Sequence, residues 1–150
     1  NVDQGQRLKE TIRQIVSNVR GMPVIFPMHP RTAKSFQEIG IEASNLHIID
    51  PMGYLEFNYL VQNSKGVLTD SGGITEETTI MGIPCITLRD NTERPETVTI
   101  GTNELIGTDP SAIKPALDRL FEGRWKKGAA PDLWDGLAAK RIVEVMLSVD

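Results

Sequence analysis

Short apolar runs alternate with segments of helical spacing along most of this chain, and that alternation restricts the possible folds more than any other feature. Leu8, Ile12, Ile15, Val16 and Val19 recur at helical intervals between polar residues, and Gly21 and Pro23 close the segment. Val24-Ile25-Phe26 follows as an apolar run ended by Pro27, and Arg31 to Ile39 reads as a polar helix stopped by Gly40. The pattern then repeats, with Leu46 to Ile49 as a strand, Tyr54 to Val61 as a helix and Gly66 to Thr69 as a strand. Glu76 to Met81 reads as a helix ending at Gly82, and Cys85 to Leu88 as a strand. Strands this short, separated by helices of about ten residues, predict βαβ units and a parallel sheet covered on both faces by helices. The fold class is α/β.

The remainder follows the same logic. Ser111 to Phe121 reads as a helix, N-capped around Asp109 with Pro110 in its first position. A last helix is expected from about Trp134 to Leu147, with Leu137, Ile142, Val145 and Met146 as its apolar positions. Gly123 to Pro131 is a basic loop between the two.

A length of 150 residues suits one domain spanning the whole chain. The net charge of −4, with no basic stripe, argues against a nucleic-acid partner. It still allows an anionic small ligand, because a helix N-terminus and a few placed cations bind phosphate whatever the total charge. Cys85 is the single cysteine, which excludes an internal disulfide and a Cys-rich zinc site; within Ile83-Pro84-Cys85-Ile86 it reads as a small buried hydrophobe. No apolar run approaches the roughly 20 residues of a membrane helix, and no signal-peptide pattern opens the chain. No membrane partner is therefore expected, and a cytoplasmic location is the default. The chain opens on Asn1 rather than Met, which suits a piece of something longer.

The strongest local signal is Thr69-Asp70-Ser71-Gly72-Gly73-Ile74-Thr75-Glu76-Glu77, placed where a strand ends and a helix begins. Ligands of open α/β sheets bind outside the carboxyl ends of the strands. Gly72 and Gly73 would let a ligand approach the backbone, Ser71 adds a hydroxyl, and the helix offers unpaired N–H groups with partial positive charge. Glu77, one turn on, is placed to grip paired ribose hydroxyls. The spacing matches neither GxxxxGK[ST] nor GxGxxG, and the alternative is an ordinary turn in which Glu76 and Glu77 satisfy the helix dipole.

Two further clusters open on the same edge. Arg89-Asp90-Asn91-Thr92-Glu93-Arg94-Pro95-Glu96 is too polar for a core: it is either a solvated loop with internal ion pairs or a segment in which Arg94 or Arg89 neutralises a pyrophosphate. Pro27-Met28-His29-Pro30-Arg31 places His29 where it would donate a hydrogen bond to a developing phosphate charge or a leaving group. His47, between Leu46 and Ile48, reads as structural, and Phe57 reads as core on its spacing alone.

Those motifs, with Gly82-Ile83-Pro84, resemble the non-hydrolysing UDP-N-acetylglucosamine 2-epimerases in order and spacing across Pro27 to Gly107. Trp134-Asp135-Gly136 is similar to the family's Tyr-Asp-Gly turn before its last helix. The resemblance implies a Rossmann-like domain, the C-terminal half of a glycosyltransferase-B type two-domain fold, with the N-terminal domain absent. It implies that Ser71, Gly72 and Gly73 contact the diphosphate of a UDP-sugar, Glu77 the ribose and Arg94 the phosphates. Phe57 would lie beside the uracil pocket, and His29 would be the catalytic group near the phosphates. It also implies UDP-GlcNAc and UDP-ManNAc interconversion for surface-polysaccharide precursors, by elimination and re-addition of UDP. The proton-transfer carboxylates are expected from the N-terminal domain, so this chain alone should be inactive. Neither a metal nor another cofactor is required, and the full-length protein is expected to be a homodimer. Two alternatives remain: a hydrolysing relative that releases ManNAc and UDP, and a non-catalytic UDP-sugar binding module. The chain departs from the family at Thr78-Thr79-Ile80-Met81, where Ala-Pro-Ser-Leu is common, and at Pro30-Arg31-Thr32. The exact sugar and any allosteric UDP-sugar site are left open.

Overall fold

A computed structural model describes residues 2–28, 36 and 40–149 of the protein, and their side chains from residue 5 onward. The helix expected over Arg31 to Ile39 lies outside the described residues.

Helix α1 (Val2–Asn18) turns Ile12 and Ile15 into the core, followed by Val19, as their spacing predicts. Its main neighbour is α5 (Ile113–Phe121), which buries Ile113, Ala116, Leu117 and Leu120 along one stripe. Entry to α5 is a short 3-10 turn (Pro110–Ala112), where the Asp109 carboxylate accepts the Ser111 N–H at 2.9 Å, the expected cap.

Among the described residues five strands form, all in parallel ladders. Strand β1 (Val24–Pro27) pairs with β2 (Leu46–Ile49), with Val24 opposite Leu46. Strands β3 (Val67–Thr69), β4 (Cys85–Thr87) and β5 (Asn103–Leu105) pair in that order, with Leu68 opposite Ile86 and Ile86 opposite Glu104. Helices α2 (Tyr54–Gln62), α3 (Gly72–Met81) and the one-turn α4 (Pro95–Thr99) connect them. The α/β class expected from the alternation is the one found. Its strands fall into two ladders rather than one continuous sheet, and residues of both β1 and β3 line a cavity of about 880 Å³.

Other differences have local causes. Helix α3 begins at Gly72, several residues earlier than Glu76, because neither Gly72 nor Gly73 has positive φ and the Thr75 hydroxyl donates back to the Gly72 carbonyl at 2.6 Å. The last helix, α6 (Ala138–Ser148), starts later than Trp134, because Gly136 sits at φ 78°, outside any right-handed helix. The Arg89–Glu96 segment is loop only as far as Arg94, since Pro95 opens α4 at its favoured first position. His47 is exposed rather than a structural core residue. No residue of α6 is buried, and Ile142, Val145, Met146 and Val149 line one exposed apolar face.

Cys85 is fully buried, as its apolar setting predicts, and burial pushes its thiol pKa up.

Candidate functional site

The site is built at the carboxyl end of β3. Thr69 closes the strand, its hydroxyl accepts the Ser71 N–H at 3.0 Å, and the chain then enters α3 through Ser71 in extended conformation. Ser71 has the backbone of an N-cap, yet its side chain makes no capping bond, and no acidic residue stands in the first turn. The first N–H groups of α3 have no intrahelical partner by construction, and no side chain of the cap or the first turn offsets the positive end of the helix. The alternative in which Glu76 and Glu77 neutralise the dipole is not met by Glu76, whose carboxylate turns to Arg94 instead.

Gly72 and Gly73 are not explained by the fold. A Cβ built at either meets no atom of the described residues within 4 Å, and neither residue adopts a left-handed conformation. Gly101 shows the contrast: a Cβ there would stand 2.4 Å from the Thr79 hydroxyl and 2.6 Å from the Thr97 carbonyl oxygen. The helix tolerates side chains at 72 and 73, so bare backbone there serves close approach from outside.

Arg94 reaches α3 from the next loop. Its Nε donates to Glu76 at 2.6 Å and one terminal nitrogen to the Glu93 carbonyl at 3.1 Å. The other terminal nitrogen has no partner among the described residues. Glu76 holds the guanidinium even more firmly charged than usual, first through the hydrogen bond and then through direct charge attraction. An exposed, permanently charged, planar donor set held against α3 by Glu76 is suited to a phosphate.

The other expected site residues are distributed as follows. Glu77 is half-buried on α3, with no partner among the described residues, and Arg89 is half-buried with only its carbonyl engaged, by Gly107 N–H at 3.2 Å. Phe57 is half-buried on α2 and borders the cavity between β1 and β3 together with Asp70, Ser71, Ile74 and Leu88. Ser71 and Phe57 therefore share one space, while Arg94 joins α3 through Glu76; Glu77 and Arg94 do not border the cavity. His29 lies outside the described residues. No group of three potential metal ligands occurs among the described residues.

Sequence reasoning missed the layer beneath. Thr75, Thr78, Thr79, Thr87, Thr97, Thr102 and Asn103 are all buried where α3, β4, α4 and β5 meet. The available signal was threonine recurring inside otherwise apolar segments, where a hydroxyl can return to a local carbonyl, as Thr75 does to Gly72 and Thr78 to Ile74 at 2.9 Å.

Parallel strands covered by helices, with the polar motifs at their carboxyl ends, define a Rossmann-like α/β protein. The family model described as UDP-N-acetylglucosamine 2-epimerase matches residues 1–147, and the chain belongs to that family. It is 39% identical to the UDP-N-acetylglucosamine 2-epimerase of Methanocaldococcus jannaschii over 97% of this chain and 41% of that protein. It is 44% identical to the UDP-2,3-diacetamido-2,3-dideoxy-D-glucuronate 2-epimerase of Pseudomonas aeruginosa, again over 97% of this chain and 41% of that protein. Among solved structures, the Neisseria meningitidis UDP-GlcNAc 2-epimerase bound to UDP-GlcNAc superposes with a TM-score of 0.82 at 33% identity, covering 95% of this chain and 40% of that one. The M. jannaschii enzyme in complex with UDP-GlcNAc and UDP gives 0.78 at 38% identity, covering 98% and 42%. The chain thus spans less than half the length of the relatives it matches.

Proposed function

We propose that this chain is the nucleotide-binding, C-terminal half of an epimerase that inverts C2 of a UDP-2-acetamido sugar, interconverting UDP-GlcNAc and UDP-ManNAc. The observation that carries this reading is the uncapped start of α3, with two glycines that neither packing nor backbone conformation requires. The amides of the first turn and the Ser71 hydroxyl would receive the diphosphate, with Arg94 beside it. Glu77 would hold the ribose hydroxyls, Phe57 would border the uracil, and His29 would assist the leaving phosphate.

In such a reaction a base removes the C2 proton, the C1–O bond breaks, and its electron pair passes to the β-phosphate oxygen of UDP. UDP then returns to C1 as a proton reaches C2 on the opposite face. The cations and amides of this chain stabilise the charge that develops on the leaving oxygen. The base is assigned to the rest of the polypeptide, since this chain spans 41% of the length of its M. jannaschii relative. On the same family reading the enzyme is a cytoplasmic homodimer that supplies surface-polysaccharide precursors.

The higher identity to the P. aeruginosa relative supports a second reading of the sugar, a diacetamido-dideoxy-glucuronate in place of GlcNAc, with the same chemistry at C2.

The test is a polypeptide carrying this chain and its preceding half, incubated with each UDP-sugar in deuterated water and followed by proton NMR. Deuterium at C2 together with the epimeric UDP-sugar is the expected result. Release of free ManNAc and UDP would show the hydrolysing reaction instead, and UDP binding without exchange at C2 would show a binding module.

A further inference from the structure

Beneath the loop that carries Arg94 lies a chain of hydrogen bonds that nothing above uses. Thr87, at the end of β4, donates its hydroxyl to the Asn103 side-chain carbonyl at 2.6 Å. The Asn103 amide donates to the Thr97 hydroxyl at 3.1 Å, and Thr97 donates to the Arg94 backbone carbonyl at 2.7 Å. All three side chains are buried, Asn103 and Thr97 completely. The same Arg94 carbonyl also accepts the Thr97 N–H at 3.1 Å, and the Arg94 N–H is held by the Thr92 hydroxyl at 3.1 Å.

We propose that Asn103 and Thr97 are positioning residues for Arg94: a buried relay from the sheet fixes the Arg94 backbone, so that its exposed guanidinium is aimed at the first turns of α3 before any ligand arrives. This rests on reading that turn as the diphosphate site. Asn103 touches neither the guanidinium nor the site and acts only through Thr97.

Two physical points favour positioning over plain packing. A buried amide is tolerated only when hydrogen-bonded, and an apolar side chain of similar volume would fill the same space without that demand. The relay also has a direction. The Asn103 amide group can only donate to Thr97, so the single Thr97 proton goes to the Arg94 carbonyl and ties that carbonyl to the sheet. A long, exposed arginine otherwise spends its binding energy on being ordered, and fixing its base beforehand reduces that loss.

Thr97→Val keeps the shape and removes the hydroxyl, whereas Thr97→Ser keeps the hydroxyl. The first readout needs no ligand: the heteronuclear NOE and solvent exchange of the Arg94 Nε–H in the 15N-labelled chain. We expect a protected, ordered signal in the unmodified chain and in Thr97→Ser, and loss of that order in Thr97→Val. The second readout is affinity for UDP against uridine. Thr97→Val should weaken UDP about tenfold, the size of one charge-assisted hydrogen bond, and leave uridine unchanged, with Thr97→Ser restoring UDP. A Thr97→Val chain that melts earlier but keeps an ordered Arg94 and an unchanged UDP-to-uridine ratio overturns the positioning role. Loss of Arg94 order in a chain whose unmodified form ignores millimolar UDP supports the relay and overturns only the nucleotide reading.

Discussion

Replacing both Gly72 and Gly73 by alanine should separate folding from binding. Both lie in the first turn of α3, neither has positive φ, and an added methyl meets no atom of the described residues within 4 Å at either position. Alanine exceeds glycine inside a helix by about 0.5–1 kcal/mol per residue, with a smaller gain at a helix end. The double variant should therefore gain up to about 1 kcal/mol, which for a chain of this length raises Tm by about 2–4 °C. The same methyls would stand where phosphate oxygens approach the amides, so UDP affinity should fall about tenfold, equivalent to about 1.4 kcal/mol. Thermal melts by circular dichroism and a UDP titration of the same two samples read both effects. A variant that is more stable and binds UDP undiminished would refute the ligand role of the pair, and a lower Tm would refute the open-space argument.

Gly101→Ala should do the opposite: its Cβ would be driven within 2.6 Å of the Thr97 carbonyl oxygen and 2.4 Å of the Thr79 hydroxyl. Overpacking of this kind costs about 2–3 kcal/mol, so Tm should drop by about 4–12 °C in a thermal melt. Low pH should destabilise the protein through Asp109, Asp118 and Asp135. Their folded pKa values lie below the ordinary carboxylate value because, respectively, the Ser111 N–H, Lys114 and Arg141 bond their charged forms. Depressed carboxylates contribute fully above the unfolded pKa of about 4 and lose that contribution as pH falls through the folded value. A Tm series from neutral to acid should be flat above about pH 5 and fall below about pH 4; Asp135→Asn should flatten the fall, and a Tm that rises on acidification would contradict the assignment. Asn103→Leu leaves the buried Thr87 hydroxyl without its partner and should cost about 1–3 kcal/mol in chemical denaturation, with an unchanged stability refuting the relay as a satisfied network.

Strands and most helices were legible because period and punctuation agree. Leu46–Ile49 forms as expected, and Cys85–Thr87 ends one residue short of the apolar run. The start of α3 was not legible, since glycine lowers helix propensity, yet first-turn residues need no strong propensity while their N–H groups are unpaired anyway. The Ser71-Gly72-Gly73 motif stood in the sequence, but its link to the arginine loop did not: Glu76 and Arg94 meet across 18 positions, and each motif alone offered several equivalent charges. Asn103 was hidden for a related reason. It sits in Gly101-Thr102-Asn103, a stretch that reads as a polar connection, and only the pairing of β5 with β4 turns it inward, where Thr87 and Thr97 satisfy it.

The most direct test of the nucleotide site is a 15N NMR titration of this chain with UDP, repeated on Arg94→Ala. If this chain supplies one half of a two-domain cleft, as proposed, binding should be weak, high micromolar or poorer, or about −5 kcal/mol. Shifts should centre on Ser71 through Glu77, the Arg94 loop and Phe57, and they should be lost in the variant, whose exposed ion pair contributes little to the fold. Shifts centred elsewhere, or shifts at α3 that Arg94→Ala leaves untouched, would contradict it.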